Sequence, residues 1–173
     1  MRAIDLGAGR TRHVAGAVTL DRVASTGPDI VHDMDVVPWP IADSSFDVIR
    51  CYDVLEHVGD LVPVMREIHR IGAPGARVEI TTPHYSSRNS WTDPTHRQHL
   101  AYRSFDYFIE GHELSFYSDA RFIMRERRIR CRNTLKGRVV EQVANRWPAM
   151  YEEHLAWMLP AFYLWFVLEV RKA

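Results

Sequence analysis

The 173-residue chain has few cysteines, no long uninterrupted apolar run and no excess of charge of either sign. Its two cysteines, Cys51 and Cys131, lie far apart and outside any CxxC pattern. This spacing argues against a disulfide framework and a cysteine-based zinc site, and it predicts a reducing, cytoplasmic setting. Twenty-two basic residues balance twenty-two acidic ones, so the global basic excess of a general nucleic-acid binder is missing.

The sequence also lacks a recognisable membrane segment or export signal. Its most apolar run, Trp157–Val170, is shorter than a spanning helix requires, and Pro160 interrupts it. The N-terminal residues are typical of a core strand and lack the apolar stretch of a signal peptide. We therefore expect a cytoplasmic protein without a membrane partner.

The residues that are present predict one domain built on a parallel α/β sheet. Hydrophobic residues make up 46% of the chain and charged residues 25%, which is enough apolar material for a substantial core. Segments of strand character alternate with loops and a few helical stretches. The predicted strands are Ala3–Leu6, Ala17–Leu20, Asp29–His32, Phe46–Tyr52, Ala76–Thr82, Phe122–Cys131 and Tyr163–Val170. The predicted helices are Leu61–Ile71, Tyr102–Ile109 and Val139–Leu159, the last broken near Pro148.

Candidate ligand-binding residues follow the first three strands. Gly7 and Gly9 come after the first strand, where a missing side chain lets backbone N–H groups approach a ligand. Asp21 closes the second strand and can accept hydrogen bonds from both hydroxyls of a ribose, while Asp33 closes the third and can accept from an adenine amino group. A dinucleotide-binding loop needs a third glycine where this chain has Arg12, which disfavours NAD and FAD.

With these residues in order, the chain resembles the class I S-adenosylmethionine-dependent methyltransferases, in particular the small "methyltransferase type 11" kind. The resemblance covers the first half of the chain closely and the rest in outline. It rests on Ile4-Asp5-Leu6-Gly7-Ala8-Gly9, Asp21, Asp33, Ser45-Phe46-Asp47-Val48-Ile49, Val54-Leu55-Glu56-His57-Val58, Arg66-Glu67-Ile68-His69-Arg70 and Pro74-Gly75-Ala76-Arg77. It implies a Rossmann-like, seven-stranded, mostly parallel sheet with an antiparallel last strand. It also implies a single domain over residues 1–173, with a helical insertion at 133–162 between the last two strands.

The resemblance further implies S-adenosylmethionine as the cofactor and S-adenosylhomocysteine as the product. The glycine loop would hold the cofactor, Asp21 its ribose, and Asp33 with Met34 its adenine. Cys51 and Tyr52, after the fourth strand, would line the methionine end. The full set of implied cofactor-binding residues is Asp5, Gly7, Ala8, Gly9, Asp21, Arg22, Asp33, Met34, Cys51 and Tyr52.

The connection between the first two strands departs from the family's pattern. Only six residues, Arg10–Ala15, separate Gly9 from the second strand, whereas a parallel crossover usually needs about a dozen or more. We therefore expect a shortened first crossover helix and one face of the sheet without its usual cover. The segment Val139–Leu159, a second copy of the chain in a homodimer, or both would supply the missing layer.

The loop His84–His99, after the fifth strand, is rich in groups suited to catalysis. The sulfonium already activates the methyl group, so the enzyme must align a nucleophile and remove its proton. Histidine is the usual base near neutral pH. We predict His84 or His96 as the base and Tyr85 as the residue that orients the acceptor; the alternative is that they only hydrogen-bond the loop into place.

A second interpretation of the same loop makes His84, Asp93, His96 and His99 metal ligands. Their spacing is not diagnostic, and the sequence alone assigns no metal site. The predicted activity is methyl transfer to oxygen or nitrogen of a small-molecule acceptor. Two alternatives stay open, because a fold does not determine a function: an RNA or protein acceptor, or a non-catalytic, cofactor-binding partner subunit.

Overall fold

Seven strands form one sheet, in the order β3–β2–β1–β4–β5–β7–β6, in the computed structural model of the chain, which describes residues 1–10 and 16–172. Strands β1 to β5 run parallel, and β7 is antiparallel to both β5 and β6. The predicted Rossmann-like sheet with an antiparallel last strand is confirmed. The strands are β1 (Ala3–Leu6), β2 (Val18–Asp21), β3 (Ile30–Val31), β4 (Phe46–Tyr52), β5 (Gly72–Pro83), β6 (Arg121–Arg130) and β7 (Tyr163–Arg171).

Four α-helices accompany the sheet in the described part of the chain: α1 (Leu61–Ile71), α2 (Arg88–Thr92), α3 (Leu135–Arg146) and α4 (Pro148–Met150). A π-helical turn, Tyr151–Leu155, continues α4. Helix α1 begins where predicted because the Asp60 carboxylate accepts the Val62 N–H at 2.9 Å. Its apolar side chains, such as Val64 and Ile68, are fully buried in the core.

None of the helices formed by residues 1–10 and 16–172 combines the length and apolar character that crossing a membrane requires.

The segment after β3 is held against α1 by a charge network. Glu67 of α1 is buried, and its carboxylate accepts the Trp39 N–H at 2.6 Å and the Arg70 guanidinium at 2.7 Å. Arg70 also donates to the Trp39 carbonyl oxygen at 3.2 Å. Burial alone would raise the pKa of Glu67, but the hydrogen bonds from Arg70 and Trp39 outweigh it and lower that pKa. The network fixes the chain that follows Asp33.

The two faces of the sheet differ in polarity. Alternate residues along β4 and β5 place Arg50, Tyr52 and Glu79 on one face, where they are half-buried. The Tyr52 hydroxyl donates to Glu79 at 2.5 Å, and Arg50 Nε lies 3.4 Å from the same carboxylate. On the opposite face, Ile49 and Ile80 are fully buried. Arg50, Tyr52 and Glu79 are therefore more exposed than Ile49 and Ile80 on the opposite face. Arg12 and most of the first crossover, where the shortened helix was expected, lie outside the described residues.

Helix α3 covers the edge of the sheet at β6. The Asn145 side chain accepts the Ile129 N–H at 2.9 Å and donates to the Ile129 carbonyl oxygen at 2.7 Å. Glu141 accepts the Cys131 N–H at 2.8 Å. These side chains take the place of a neighbouring strand, so the edge is protected from pairing with another chain.

The prediction of a helix at Tyr102–Ile109 is wrong, since only a 3-10 turn at Asp106–Phe108 forms there. Two side chains accept hydrogen bonds from backbone N–H groups at the start of the predicted helix. The Tyr102 N–H donates to Glu152 Oε1 at 2.8 Å, and the Ala101 N–H donates to the Ser104 hydroxyl at 2.8 Å. Such side-chain acceptors compete with the regular hydrogen-bond pattern of a helix.

Candidate functional site

The glycine loop lies at the carboxyl end of β1, next to β2. The Gly7 N–H donates to the Leu20 carbonyl oxygen at 2.8 Å, and the Gly9 N–H donates to Asp21 Oδ2 at 2.9 Å. Gly7 has a φ of +65°, and a Cβ atom there would lie 2.2 Å from Val54 Cγ2. Position 7 therefore requires glycine both for its backbone conformation and for the close packing of the loop.

Asp21 closes β2 and organises the chain on both sides of the strand end. Its Oδ1 accepts the Val23 N–H at 2.8 Å, while its Oδ2 holds the glycine loop through Gly9. A carboxylate oxygen can accept more than one hydrogen bond, so acceptor capacity remains for a pair of vicinal hydroxyls. Arg22, the next residue, lines the same cavity.

This cavity, of about 210 Å³, opens between the carboxyl ends of β1 to β4. We call it the cofactor cavity, because the sequence predicts cofactor-binding residues there. Five of the ten predicted cofactor-binding residues line it: Gly7, Asp21, Arg22, Asp33 and Met34. Ala8 and Gly9 complete the glycine loop beside it, where Ala8 is buried. The motifs at three successive strand ends are therefore brought together.

The end of β3 supplies one acidic and one apolar group to the cofactor cavity. Asp33 Oδ1 accepts the Asp35 N–H at 3.0 Å, which fixes a tight turn. Met34 is buried, and the Trp39 indole N–H donates to its carbonyl oxygen at 3.1 Å. An apolar side chain beside a carboxylate suits a flat heteroaromatic ring that carries an amino group.

Asp5, Cys51 and Tyr52 are not among the described residues that line this cavity. Asp5 and Cys51 are buried in the sheet. Burial, together with the nearby charge of Asp5, raises the pKa of the Cys51 thiol. Burial and the hydrogen bond to Glu79 raise the pKa of Tyr52 to about 12. The sequence predicts both side chains at the methionine end of the cofactor, and that role stays a prediction.

Asp53 reaches the cavity instead, and the sequence analysis missed it. It has a φ of +51°, an uncommon conformation for a residue other than glycine. Its carboxylate accepts hydrogen bonds from the Thr81 and Tyr163 hydroxyls, both at 3.1 Å. The one signal that could have identified Asp53 is its place directly after β4.

A second cavity, of about 520 Å³, adjoins the first on the side of the loop after β5. We call it the acceptor cavity, after the role that we propose for it below. Asp53 and His57 line both cavities, and His96 lines the second. The rings of His57 and His96 meet edge to face, with centroids 4.6 Å apart. The imidazoles of His57 and His96 and the carboxylate of Asp53 thus lie at the junction of the two cavities.

Hydrogen bonds orient both imidazole rings. His96 Nδ1 lies 3.1 Å from the Ser90 carbonyl oxygen, which can only accept, so Nδ1 carries the proton. His57 Nδ1 lies 2.9 Å from the Thr95 hydroxyl, which itself donates to Asp93 at 2.7 Å. The pKa of His57 is lowered, first by burial of the ring and second by the neighbouring His96. The Thr95 hydroxyl and N–H lower the pKa of Asp93.

His84 and Tyr85 line neither of these cavities. His84 is fully buried, with Nδ1 2.8 Å from the Ser86 hydroxyl and Nε2 3.1 Å from Glu152 Oε1. The Tyr85 hydroxyl donates to the Glu152 carbonyl oxygen at 2.7 Å. These bonds join the end of β5 to the turn that follows α4. Of the three predicted catalytic residues, the structure brings His96 alone to the junction.

The four residues considered as metal ligands are not brought together as a set. His84 contacts Glu152, while His99 stacks on Trp91 with ring centroids 3.7 Å apart. In the described part of the chain, the group of potential ligands that does come together is Glu56, His57 and His96.

Comparison with known proteins agrees with this geometry. A model of the methyltransferase domain family matches residues 1–125. No curated protein sequence matches the chain.

Solved structures share the fold at low sequence identity. An S-adenosylmethionine-dependent methyltransferase from Archaeoglobus fulgidus superposes with a TM-score of 0.66 at 13% identity, over 97% of this chain and 85% of that one. One from Mesorhizobium loti superposes with a TM-score of 0.55 at 18% identity, over 97% and 90%. The [4+2]-cyclase SpnF is also similar, with a TM-score of 0.61 at 15% identity, over 99% and 75%. The fold therefore serves more than one reaction.

Proposed function

Because the chain belongs to the methyltransferase domain family, we propose that it transfers the methyl group of S-adenosylmethionine to a small-molecule acceptor. The cofactor occupies the cofactor cavity and leaves as S-adenosylhomocysteine, and the small molecule occupies the acceptor cavity. The observation that carries this proposal is the junction of the two cavities at Asp53 and His57. A donor and an acceptor that meet there are brought into direct contact, which is the main requirement of methyl transfer.

The residues of the cofactor cavity fit the three parts of S-adenosylmethionine. Asp21 offers two acceptor oxygens for the ribose hydroxyls, and Asp33 with Met34 offers an acceptor and an apolar surface for adenine. The loop of Gly7 and Gly9, which carries no side chains at these two positions, would lie against the methionine part. When bound, the sulfonium of the cofactor supplies an activated methyl group.

The charge of the acceptor cavity supports a small molecule over RNA. Asp53, Glu56 and Asp93 line it, together with the two histidines. Three carboxyl groups disfavour a phosphate backbone, which proteins bind through basic side chains. The same groups suit an amine or a hydroxyl compound, in agreement with the predicted transfer to nitrogen or oxygen.

Incubation with radiolabelled S-adenosylmethionine tests this function. The full chain is mixed with panels of small amines and hydroxyl compounds, with RNA and with protein. We expect label in at least one small molecule and none in RNA or protein. Label only in a macromolecule would contradict the acceptor class, and no label in any panel would favour the partner-subunit alternative.

His96→Ala is expected to lower the rate of methyl transfer by about 100-fold or more, because His96 lines the acceptor cavity, where its imidazole would help to position the acceptor. Single-turnover transfer of labelled methyl measures this rate. Affinity for S-adenosylhomocysteine should stay within about twofold, since His96 is not among the residues that line the cofactor cavity. The matched control is His99→Ala, from the same loop, which should keep its rate. A full rate in His96→Ala would remove His96 from catalysis.

We also propose that the protein is a homodimer whose second copy covers the polar face of the sheet. Tyr52 and Trp165 are half-buried on that face, with ring centroids 6.1 Å apart. Burying them against a second copy would give this face the cover that parallel sheets usually have. Light scattering should report twice the chain mass of 20.1 kDa. A monomer at high protein concentration would contradict the dimer.

A further inference from the structure

Two imidazoles and one carboxylate form a cluster at the junction of the cavities. Glu56, His57 and His96 each offer one ligand atom, and these atoms lie within 4.8 Å of one another. Glu56 is buried, and both histidines are half-buried. This burial limits the freedom of the three side chains, so the cluster is largely arranged before any ligand enters.

The two chain segments that carry the cluster are bonded directly to each other. Glu56 and His57 lie in the 3-10 turn Leu55–His57, after β4. The Arg97 and Gln98 N–H groups, next to His96, both donate to the Glu56 carbonyl oxygen, at 2.7 and 2.9 Å. The spacing between Glu56 and His96 is therefore set by the backbone and does not depend on long, flexible side chains.

The orientation of each ring leaves one nitrogen for a ligand. His96 donates through Nδ1 to the Ser90 carbonyl oxygen. His57 donates through Nδ1 to the Thr95 hydroxyl, which in turn donates to Asp93. In neutral imidazole the other nitrogen, Nε2, then carries the lone pair. Metal-binding histidines commonly donate their other ring N–H to a backbone carbonyl oxygen, as His96 does to Ser90.

We propose that Glu56, His57 and His96 bind a divalent transition-metal ion, with zinc as the best match. Two histidines and one glutamate form a donor set of zinc sites that keep a coordination position open for substrate. Magnesium and calcium prefer oxygen ligands throughout, so two imidazoles disfavour them. Ligand atoms around tetrahedral zinc lie roughly 3.4 Å apart, so the three ligand atoms would move closer together when the ion binds.

The place of the ion gives it a role in the proposed reaction. The cluster belongs to the wall of the acceptor cavity, and His57 also lines the cofactor cavity. An open coordination position there would hold an oxygen or nitrogen atom of the acceptor next to the cofactor. This role rests on the proposed methyl transfer, whereas binding of the metal ion itself does not.

Calorimetric titration of the chelator-treated, untagged full chain with zinc sulfate tests the site, and elemental analysis gives the stoichiometry. We expect one zinc per chain with micromolar or tighter affinity, and no binding of magnesium chloride. His96→Ala and Glu56→Gln should each weaken zinc binding by at least about 100-fold. The control His154→Ala, an exposed histidine outside the cluster, should bind zinc like the wild type.

No zinc uptake by the wild type, or equal uptake by His96→Ala, would overturn the proposal. S-adenosylhomocysteine binding by His96→Ala, which we expect to be retained, checks that the variant is folded. The two proposals can fail separately. Binding of S-adenosylhomocysteine without zinc would remove the metal site and leave the methyltransferase function standing. Zinc binding without S-adenosylhomocysteine binding would support the metal site and contradict the methyltransferase function.

Discussion

The Asp21→Ala variant is expected to bind S-adenosylmethionine about 100-fold more weakly than the wild type. The carboxylate is the proposed acceptor for the ribose hydroxyls, and it also accepts the Gly9 N–H at 2.9 Å, which ties the glycine loop to the end of β2. Hydrogen bonds to a charged group contribute about 1.5–3 kcal/mol each, so losing two of them at the lower end of that range, about 3 kcal/mol, accounts for a factor of this size. Equilibrium dialysis with labelled cofactor measures the change.

The matched control for Asp21→Ala is the Asp21→Asn variant. Its side chain has the same shape and keeps one acceptor oxygen but no charge, so we expect a loss of only about 10-fold. Both variants should remain folded, because Asp21 is only partly buried. Wild-type affinity in Asp21→Ala would mean that the ribose is held elsewhere, and it would contradict the assignment of the cofactor cavity.

The Gly7→Ala variant should lose about 3 kcal/mol of unfolding free energy, and with it the cofactor cavity. Gly7 has a φ of +65°, which costs an alanine roughly 1–2 kcal/mol. The added Cβ would also lie 2.2 Å from Val54 Cγ2, and relieving such an overlap costs a further 1–3 kcal/mol or so. Val54 lines the cofactor cavity, so its displacement also removes the binding surface. Urea denaturation measures the loss of stability.

Gly9→Ala is the internal control for the loop. Gly9 has a φ of +57°, but no described atom lies within 4 Å of the position its Cβ would take. This variant should therefore lose only the unfolding free energy that the left-handed backbone conformation costs an alanine, about 1–2 kcal/mol. Equal losses in the two variants would show that the contact with Val54 does not determine the need for glycine at position 7.

Local signals in the sequence were sufficient for much of the fold and for predicting that half of the candidate cofactor-binding residues meet at one cavity. Strand β4 and helix α1 lie at the predicted residues, because Ser44-Ser45 precedes the strand and Asp60 caps the helix. Gly7, Asp21 and Asp33 come together since parallel strands end at one edge of the sheet. The order of the motifs along the chain was therefore enough to predict their meeting.

The remaining site residues depend on geometry that the sequence does not reveal. Asp53, which has a positive φ, lines the cofactor cavity, whereas Cys51 and Tyr52 are not among its described lining residues. His84 and His96 belong to the same loop, but Glu152, far along the chain, binds His84 and removes it from the cavities. The closeness of His96 to His57 likewise depends on tertiary packing alone.

Calorimetric titration of the wild-type protein with S-adenosylhomocysteine tests the central claim most directly, because it requires no knowledge of the acceptor. We predict saturable binding of one ligand per chain, and no binding of NAD under the same conditions. Absence of binding by a well-folded protein would contradict the methyltransferase function and leave the chain as a scaffold or partner subunit with the same fold.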